Sequence, residues 1–179
     1  NLLQIKEHSF GLVTLRDPSG SFTGKLLGGG HKIKNLYMHS EGGPSPEKRA
    51  LIPVIDSSAR VENLTLENVD LDGVGAVLTG KNNGVIKGVT VEGTIANTRD
   101  RISGIAYENN GTIKKTKVKG TFIGTGYGMV MFNKGNIQDS RAEITMNDSS
   151  SYIYNDIGGV GFFYYGNNFL FSSKRGQSV

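Results

Sequence analysis

Two carboxylates separated by one residue are the first candidates for chemistry in this sequence. Asp70 and Asp72 flank Leu71, and in an extended strand two such residues share one face. The pair suits a calcium site, or the general acid and base of a polysaccharide-cleaving enzyme. Asp72 also forms an ordinary turn dipeptide with Gly73, and a spacing of two does not fix a catalytic geometry. We therefore favour a surface turn over a catalytic pair.

Two further groups of residues have the chemistry to contact a sugar. Arg99 and Arg101 flank Asp100 and would suit an acidic sugar, but we favour an ion pair within the loop. Aromatic residues gather near the C-terminal end, where they would either stack on sugar rings or cap the core, and we favour the cap. The candidate ligand-binding residues are therefore Asp70, Asp72, Arg99, Arg101, Tyr164 and Tyr165.

Other catalytic chemistries have no residues to carry them. The absence of cysteine excludes disulfides, thiolate metal sites and cysteine nucleophiles. His8, His31 and His39 form no H-E-x-x-H pair and have no carboxylate at ligand spacing. No G-x-S-x-G elbow is present. The sequence therefore predicts no catalytic residue, no metal and no cofactor in this chain.

A repeated six-residue phrase sets the elements that position these side chains. Each copy has small or apolar residues at its first, fourth and sixth positions. The copies start 28, 25, 27 and 24 residues apart, as IKNLYM from Ile33, VENLTL from Val61, IKGVTV from Ile86, IKKTKV from Ile113 and IQDSRA from Ile137. A period of about 26 residues is typical of a solenoid, in which each unit buries its apolar side against its neighbours.

The repeat predicts three short strands per coil. One strand precedes an Asn/Gly turn, the phrase follows, and a third strand closes the coil. We expect left-handed backbone at these turns, which are Asn82-Asn83-Gly84, Asn109-Asn110-Gly111 and Asn133-Lys134-Gly135. The predicted fold is an all-β, right-handed parallel β-helix of about five to six coils. Residues 1–148 would form it, and residues 149–179 an irregular connection, a last rung or cap, and a polar tail.

The predicted register also describes the surface. The fifth positions form an outward column of Thr65, Thr90, Lys117 and Arg141, and the seventh positions one of Glu67, Glu92, Lys119 and Glu143. Lys119 then lies between two carboxylates, and the run from Lys114 to Lys119 becomes a solvated edge. Gly28, Gly29 and Gly30 are predicted to form a tight corner, since no Lys-Ser/Thr pair of a phosphate-binding loop follows them.

Composition narrows the functional classes. The 179 residues include 26 glycines, and 20 basic against 16 acidic residues give a net charge of +4. A nucleic-acid-binding protein is expected to be more strongly basic, so no nucleic-acid partner is predicted. No apolar run of the length needed to span a membrane occurs. The first ten residues lack a signal-peptide pattern and the chain starts without Met, so we expect a mature or excised fragment.

The opening and the repeats resemble a known family. The segment FTGKLLGGGHKIKNLYM from Phe22 is similar to the F-x-G-x-x-D-G-N-G-H-x-I-x-N-L opening of bacterial β-helix domains with GLUG-type repeats. The segment 61–93 resembles their cycle of strand, Asn/Gly turn and I-x-N-x-x-V-x-G. The resemblance extends over residues 10–146. Leu27 and Gly29 stand where the family usually has Asp and Asn.

The resemblance implies a role as well as a fold. Such domains occur in the N-terminal region of immunoglobulin-A1 protease-type zinc metalloproteases of Gram-positive bacteria, whose zinc motif lies outside the matching region. It implies a non-catalytic spacer or substrate-engaging surface, secreted or anchored in the cell wall, with a host glycoprotein such as immunoglobulin A1 or a glycan as partner. The alternative is a carbohydrate-binding adhesin or a small polysaccharide-active enzyme. An ice-binding solenoid would need a flat threonine array, and only Thr65 and Thr90 align.

Overall fold

The computed structural model describes residues 20–39, 50–72, 75–96, 102–123, 126–147 and 169–172, and these ranges contain strands and no helix. No membrane-spanning helix is therefore present in the described ranges. The strands are β1 Lys25–Leu27, β2 Lys32–His39, β3 Ile52–Ile55, β4 Arg60–Glu62, β5 Thr65–Asp72, β6 Gly75–Ala76, β7 Thr79–Asn82, β8 Val85–Lys87, β9 Thr90–Ala96, β10 Ile102–Ser103, β11 Ala106–Asn109, β12 Thr112–Lys114, β13 Lys117–Ile123, β14 Gly126–Tyr127, β15 Val130–Asn133, β16 Asn136–Gln138, β17 Arg141–Asn147 and β18 Phe169–Ser172.

The strands stack into four sheets that run along one axis. Sheet A contains β3, β7, β11 and β15; sheet B contains β1, β4, β8, β12 and β16; sheet C contains β2, β5, β9, β13, β17 and β18; sheet D contains β6, β10 and β14. Neighbouring strands come from successive coils and pair in parallel. The exception is β18, which pairs antiparallel with β17 and closes that edge. The predicted class, an all-β parallel β-helix, is confirmed.

The coils differ in two details from the prediction. Within the described ranges three coils have all four strands, β6–β9, β10–β13 and β14–β17, and partial coils precede them. Complete turns are thus fewer than the five to six predicted. Each complete turn also has a fourth strand, the two-residue strand of sheet D, which was not predicted. Strands this short show no alternation of apolar and polar residues in a sequence.

The inward side of the phrase forms the core. Ile86, Val89 and Val91 are fully buried, and burying such a side chain stabilises the fold by about 1.5–3 kcal/mol. In later copies Thr116 and Ser140 take the fourth position and are also buried. The hydroxyl of Thr116 donates to the carbonyl oxygen of Lys114 at 3.1 Å, and that of Ser140 to Gln138 at 2.7 Å. These hydrogen bonds satisfy polar groups that stand in an apolar column.

The register of the repeat is confirmed for the copies that start at Val61, Ile86, Ile113 and Ile137, which pair in succession along sheet B. The prediction of an earlier copy at Ile33 is wrong. Ile33 pairs with Leu66, the sixth position of the Val61 copy, and it is Leu26 that pairs with Val61. Both strands alternate apolar and polar residues, so spacing alone does not tell one strand of the coil from the next.

The left-handed corners are not at the Asn/Gly turns. They lie at the third position of the phrase, where φ is 54° at Asn63, 63° at Gly88, 51° at Lys115 and 48° at Asp139. The Asn/Gly turns need glycine for another reason. A Cβ on Gly111 would overlap the carbonyl oxygen of Gly84 one coil away. Close approach of stacked backbones, and not a positive φ, therefore explains these glycines.

The first asparagine of each Asn/Gly turn belongs to a buried ladder. The side-chain amide of Asn82 donates to the side-chain oxygen of Asn109 at 2.7 Å, and Asn109 donates to Asn133 at 2.7 Å. The backbone N–H of Gly84 donates to the side-chain oxygen of Asn82 at 3.2 Å. Because the rungs are in register, one residue type repeated in each coil satisfies its own hydrogen bonds.

Replacing Asn109 with Ala should destabilise the protein by about 2–4 kcal/mol, because it removes one hydrogen bond to each neighbour and leaves buried amide groups unpaired. The matched control is Asn110→Ala. Asn110 is exposed and donates to Asn83 at 3.0 Å on the outer surface, so its loss should change stability by less than about 0.5 kcal/mol. Urea unfolding followed by circular dichroism measures both. Equal losses in the two variants would contradict the ladder.

Candidate ligand-binding surface

The residues predicted to bind a ligand fall into two groups. Asp70 is exposed on the outer face of β5, between Tyr37 and Ala96 in the register of sheet C. Asp72 ends the same strand, in register with His39. The structure thus places the two aspartates on one strand but adds no further predicted residue beside them. The other four candidates, Arg99, Arg101, Tyr164 and Tyr165, lie outside the described residues.

In the part of the chain that the structure describes, no group of three or more His, Asp or Glu side chains is arranged to hold a metal ion. Asp70 therefore belongs to no such group among the described side chains. Two other carboxylates of the same sheet, those of Glu67 and Glu92, form ion pairs with Lys32.

Charged side chains form ordered columns on the outer face of sheet C. The predicted column of Glu67, Glu92, Lys119 and Glu143 is confirmed by the pairing register, and Lys34 extends it at the N-terminal end. The Nζ atom of Lys32 bridges two coils, at 2.9 Å from Glu67 and 2.6 Å from Glu92. These hydrogen bonds raise the pKa of Lys32, that to Glu92 most strongly. The hydrogen bond from Lys32 lowers the pKa of Glu67.

A second ion-pair group lies on sheet A. Glu108 is 3.5 Å from Lys81 on the preceding coil and 3.2 Å from Lys134 on the following one. Partial burial raises the pKa of Glu108, but hydrogen bonds from Lys134 and Asn110 outweigh burial and leave the pKa below its usual range. Phe132 is the register partner of Glu108 in the next coil. Its ring meets that of Tyr107, the residue before Glu108, edge to face with centroids 5.4 Å apart.

Five cations gather where sheet B turns into sheet C. Lys87 and Arg141 have carboxylate partners, Glu62 at 4.0 Å and Glu143, whereas the three lysines of the coil between them form no ion pair among the described residues. We call this surface the basic corner: Lys114, Lys115 and Lys117 in one coil, with Lys87 and Arg141 on the adjacent coils. Lys115 and Lys117 are exposed, as predicted for this run, and Lys114 is half-buried. Lys87 pairs with Lys114 in sheet B, and Lys117 with Arg141 in sheet C. The Lys87–Lys114 pair was missed, although the second position of the phrase is Lys in both copies.

A second threonine column was also missed. Thr94, Thr121 and Thr145 pair in register in sheet C. Between β5 and β9 the register shifts at a bulge, where Asn68 has φ of 55° and its side-chain oxygen accepts a hydrogen bond from the N–H of Thr94 at 3.0 Å. Counting from the phrase does not locate a bulge. On these strands the charged column of Glu92 and Lys119 lies between the Thr90 position and the column that starts at Thr94. The two threonine columns are therefore separated and do not form one flat array.

These features define the class of the protein as a parallel β-helix whose outer faces carry ladders of charged residues. No known protein family matches the chain, and no solved structure matches it. Among curated proteins it is similar to "Halomucin" of Haloquadratum walsbyi, strain DSM 16790 / HBSQ001, with 33% identity over 97 residues. The match covers 52% of this chain and 1% of halomucin. The chain thus spans a very small part of the relative that it matches.

The Lys32 bridge predicts a measurable titration. Replacing Lys32 with Gln should raise the pKa of Glu67 toward its ordinary range, since the strongest hydrogen bond to its charged form is lost. Because the pKa of Glu67 is lower in the folded than in the unfolded state, its contribution to stability is present above the unfolded-state pKa. That contribution is lost as the pH falls through the folded-state pKa. Carboxyl carbon shifts measured by NMR during an acid titration report this pKa directly.

Lys25→Gln is the matched control for this titration. Lys25 is exposed on sheet B and has no ion pair among the described residues, so the same loss of charge should leave the Glu67 titration almost unchanged. An identical titration of Glu67 in wild type and Lys32→Gln would contradict the bridge.

Proposed function

We propose that this chain is a non-catalytic β-helix module of an exported bacterial surface protein, in which it serves as a rigid spacer or a substrate-engaging surface. The observation that carries the proposal is the axial arrangement of the ion pairs. Lys32 forms ion pairs with Glu67 on β5 and Glu92 on β9, which belong to successive coils. Glu108 forms ion pairs with a lysine of the coil before it and a lysine of the coil after it. Outward side chains that tie successive coils together suit a structural rod.

The buried side of the coils supports the same role. The asparagine ladder crosses three successive coils, and the inward column of sheet B continues from Leu26 to Ile137. In a solenoid each coil is stabilised mainly by its neighbours, so an interrupted column would create a weak point. Continuous columns inside and bridging charges outside are what a module that holds other domains apart requires.

A rigid rod predicts one fixed distance between its two ends. Lys25 and Asn136 lie in one outward column of sheet B, separated by four strand pairings. Their Cα atoms should therefore be about 19 Å apart at a spacing of about 4.8 Å per strand. Because the chain has no cysteine, Lys25→Cys/Asn136→Cys labels only these sites with nitroxides. Pulsed electron resonance should give one narrow distance distribution.

The same distribution is expected in 1 M NaCl, because salt screens exposed ion pairs but not the stacked backbone and apolar core. The control is the same labelled protein unfolded in urea, whose distribution should be broad. A broad distribution in native buffer, or one that broadens with salt, would contradict the spacer function.

As the parent protein we propose an immunoglobulin-A1 protease-like zinc metalloprotease, secreted or anchored in the cell wall. The support is the similarity of the opening and repeat to GLUG-type domains. The test is binding of the purified chain to immobilised immunoglobulin A1, with immunoglobulin G as the control. Saturable binding to the first alone is expected if the module engages the substrate. Absence of binding leaves the spacer role and contradicts substrate engagement.

A glycan-binding adhesin is the second candidate function. The observation in its favour is the Tyr107–Phe132 ring pair beside Glu108, since Tyr107 precedes Glu108 on β11 and Phe132 is its register partner on β15. Aromatic rings beside charged groups are common in ligand sites. A glycan array tests it with Phe132→Ala against Val85→Ala, an outward control residue on sheet B. Binding lost only in Phe132→Ala would favour the adhesin.

A further inference from the structure

We propose that the basic corner binds an anionic polysaccharide, a polymer of uronic acids or sulfated sugars, that lies along the axis of the β-helix. The proposal goes beyond the spacer function and does not depend on it. It combines three independent observations, which are the absence of ion-pair partners for Lys114, Lys115 and Lys117 among the described residues, the register of like charges, and the backbone conformation of Lys115.

The glutamates around the basic corner are engaged with Lys87, with Arg141 or with cations outside the corner. Glu62 is 3.7 Å from Arg60 and 4.0 Å from Lys87. Glu92 is 2.6 Å from Lys32 and 4.0 Å from Lys119. Glu143 pairs with Arg141. Lys114, Lys115 and Lys117 consequently form no ion pair within the described ranges. Their positive charge is left to an external partner.

The register brings like charges together at this corner. Lys114 is directly paired with Lys87, and Lys117 with Arg141, across a strand spacing of about 4.8 Å. Like charges directly opposite each other destabilise a sheet. Elsewhere in sheet C the fold compensates such a pair, because Lys32 bridges Glu67 and Glu92. No described carboxylate bridges either pair of cations at the corner.

Lys115 occupies a position that disfavours lysine. Its φ is 51°, and the residues at the same corner of the other coils are Asn63, Gly88 and Asp139. Glycine, asparagine and aspartate tolerate the left-handed region, whereas a long side chain without a local hydrogen bond does not. Asp139 stands on the next coil, yet no ion pair joins it to Lys115 within the described ranges. A lysine in a strained backbone conformation that forms no stabilising contact nearby is expected at a binding site, where function offsets the strain.

The shape of the corner favours a flexible acidic polysaccharide over a nucleic acid. The cations follow the axis across neighbouring coils on an exposed edge, so an extended chain of carboxylates or sulfates would meet a lysine or arginine in each coil. Single-stranded nucleic acids are usually held by aromatic side chains that stack on bases, and the basic corner contains none. The net charge of +4 is also mild for a binder of duplex DNA.

The experiment compares two triple variants of the full chain that lose the same charge. The corner variant is Lys114→Gln/Lys115→Gln/Lys117→Gln, and the control is Lys25→Gln/Lys34→Gln/Lys134→Gln. The control lysines lie outside the basic corner, and two of them, Lys34 and Lys134, are paired with Glu67 and Glu108. Fluorescently labelled polygalacturonate is the probe, with dextran as the neutral polymer and single-stranded DNA as the competing polyanion. Circular dichroism and thermal unfolding establish that each variant is folded.

We expect wild type and the control to bind polygalacturonate within about threefold of each other, and the corner variant to bind about tenfold more weakly, since three exposed ionic contacts are lost. Dextran should not bind. Equal weakening in both variants would reduce the effect to net charge and overturn the proposal. Tighter binding of single-stranded DNA than of polygalacturonate would assign the corner to nucleic acid and overturn it as well, as would the absence of polyanion binding at low salt.

Lys115→Asn separates binding from folding. Asparagine already occupies the corresponding left-handed position at residue 63. Lys115→Asn should therefore relieve backbone strain and raise Tm by about 2–4 °C, while it weakens polygalacturonate binding. A lower Tm, or unchanged binding, would overturn the functional reading of Lys115. Loss of polygalacturonate binding together with one narrow distance between the labels at residues 25 and 136 would leave the spacer function intact.

Discussion

Parallel stacking of successive coils in one register is the constraint on which the rest of this structure depends. Every inward residue lies about 4.8 Å from its counterpart in the next coil, so the side chains of one column must fit together. Ile86 and Ile113 meet in this way, and so do the buried asparagines. The same constraint forbids a Cβ at Gly111, because the neighbouring backbone occupies its place.

Stacking also explains how polar residues are accommodated inside. An isolated buried asparagine would cost stability, since its amide and carbonyl would lack partners. In the column of Asn82, Asn109 and Asn133 the first two amides donate to the side-chain oxygen of the next asparagine, and that of Asn133 donates to the backbone carbonyl oxygen of Gly135. Thr116 and Ser140 solve the problem differently, through hydrogen bonds to carbonyl oxygens of their own corner. The Oγ atom of Ser103 is the buried side-chain atom without a partner among the described residues.

On the outside the same register decides which charges are neutralised. Glu67 and Glu92 would repel each other, but Lys32 reaches both. At the basic corner the repeat instead aligns Lys87 with Lys114. Glu62 is 4.0 Å from Lys87, and no described carboxylate forms an ion pair with Lys114. The charges are thus neutralised within the fold on one surface and only in part on the other.

The sequence by itself determined the class of fold, the period and the alternation of inward and outward positions. These follow from the spacing of apolar residues, which is a local property, and the columns of Glu67, Glu92 and Lys119 were therefore predicted correctly. The tertiary structure alone decided the register of Ile33, the bulge at Asn68 and the left-handed corner at Lys115. It also decided the roles of the Asn/Gly turns, because a buried ladder exists only once coils are stacked. Charge neutralisation is likewise a property of residues far apart in sequence. Only stacking brings Lys32 to Glu67 and leaves Lys114 without an ion-pair partner among the described residues.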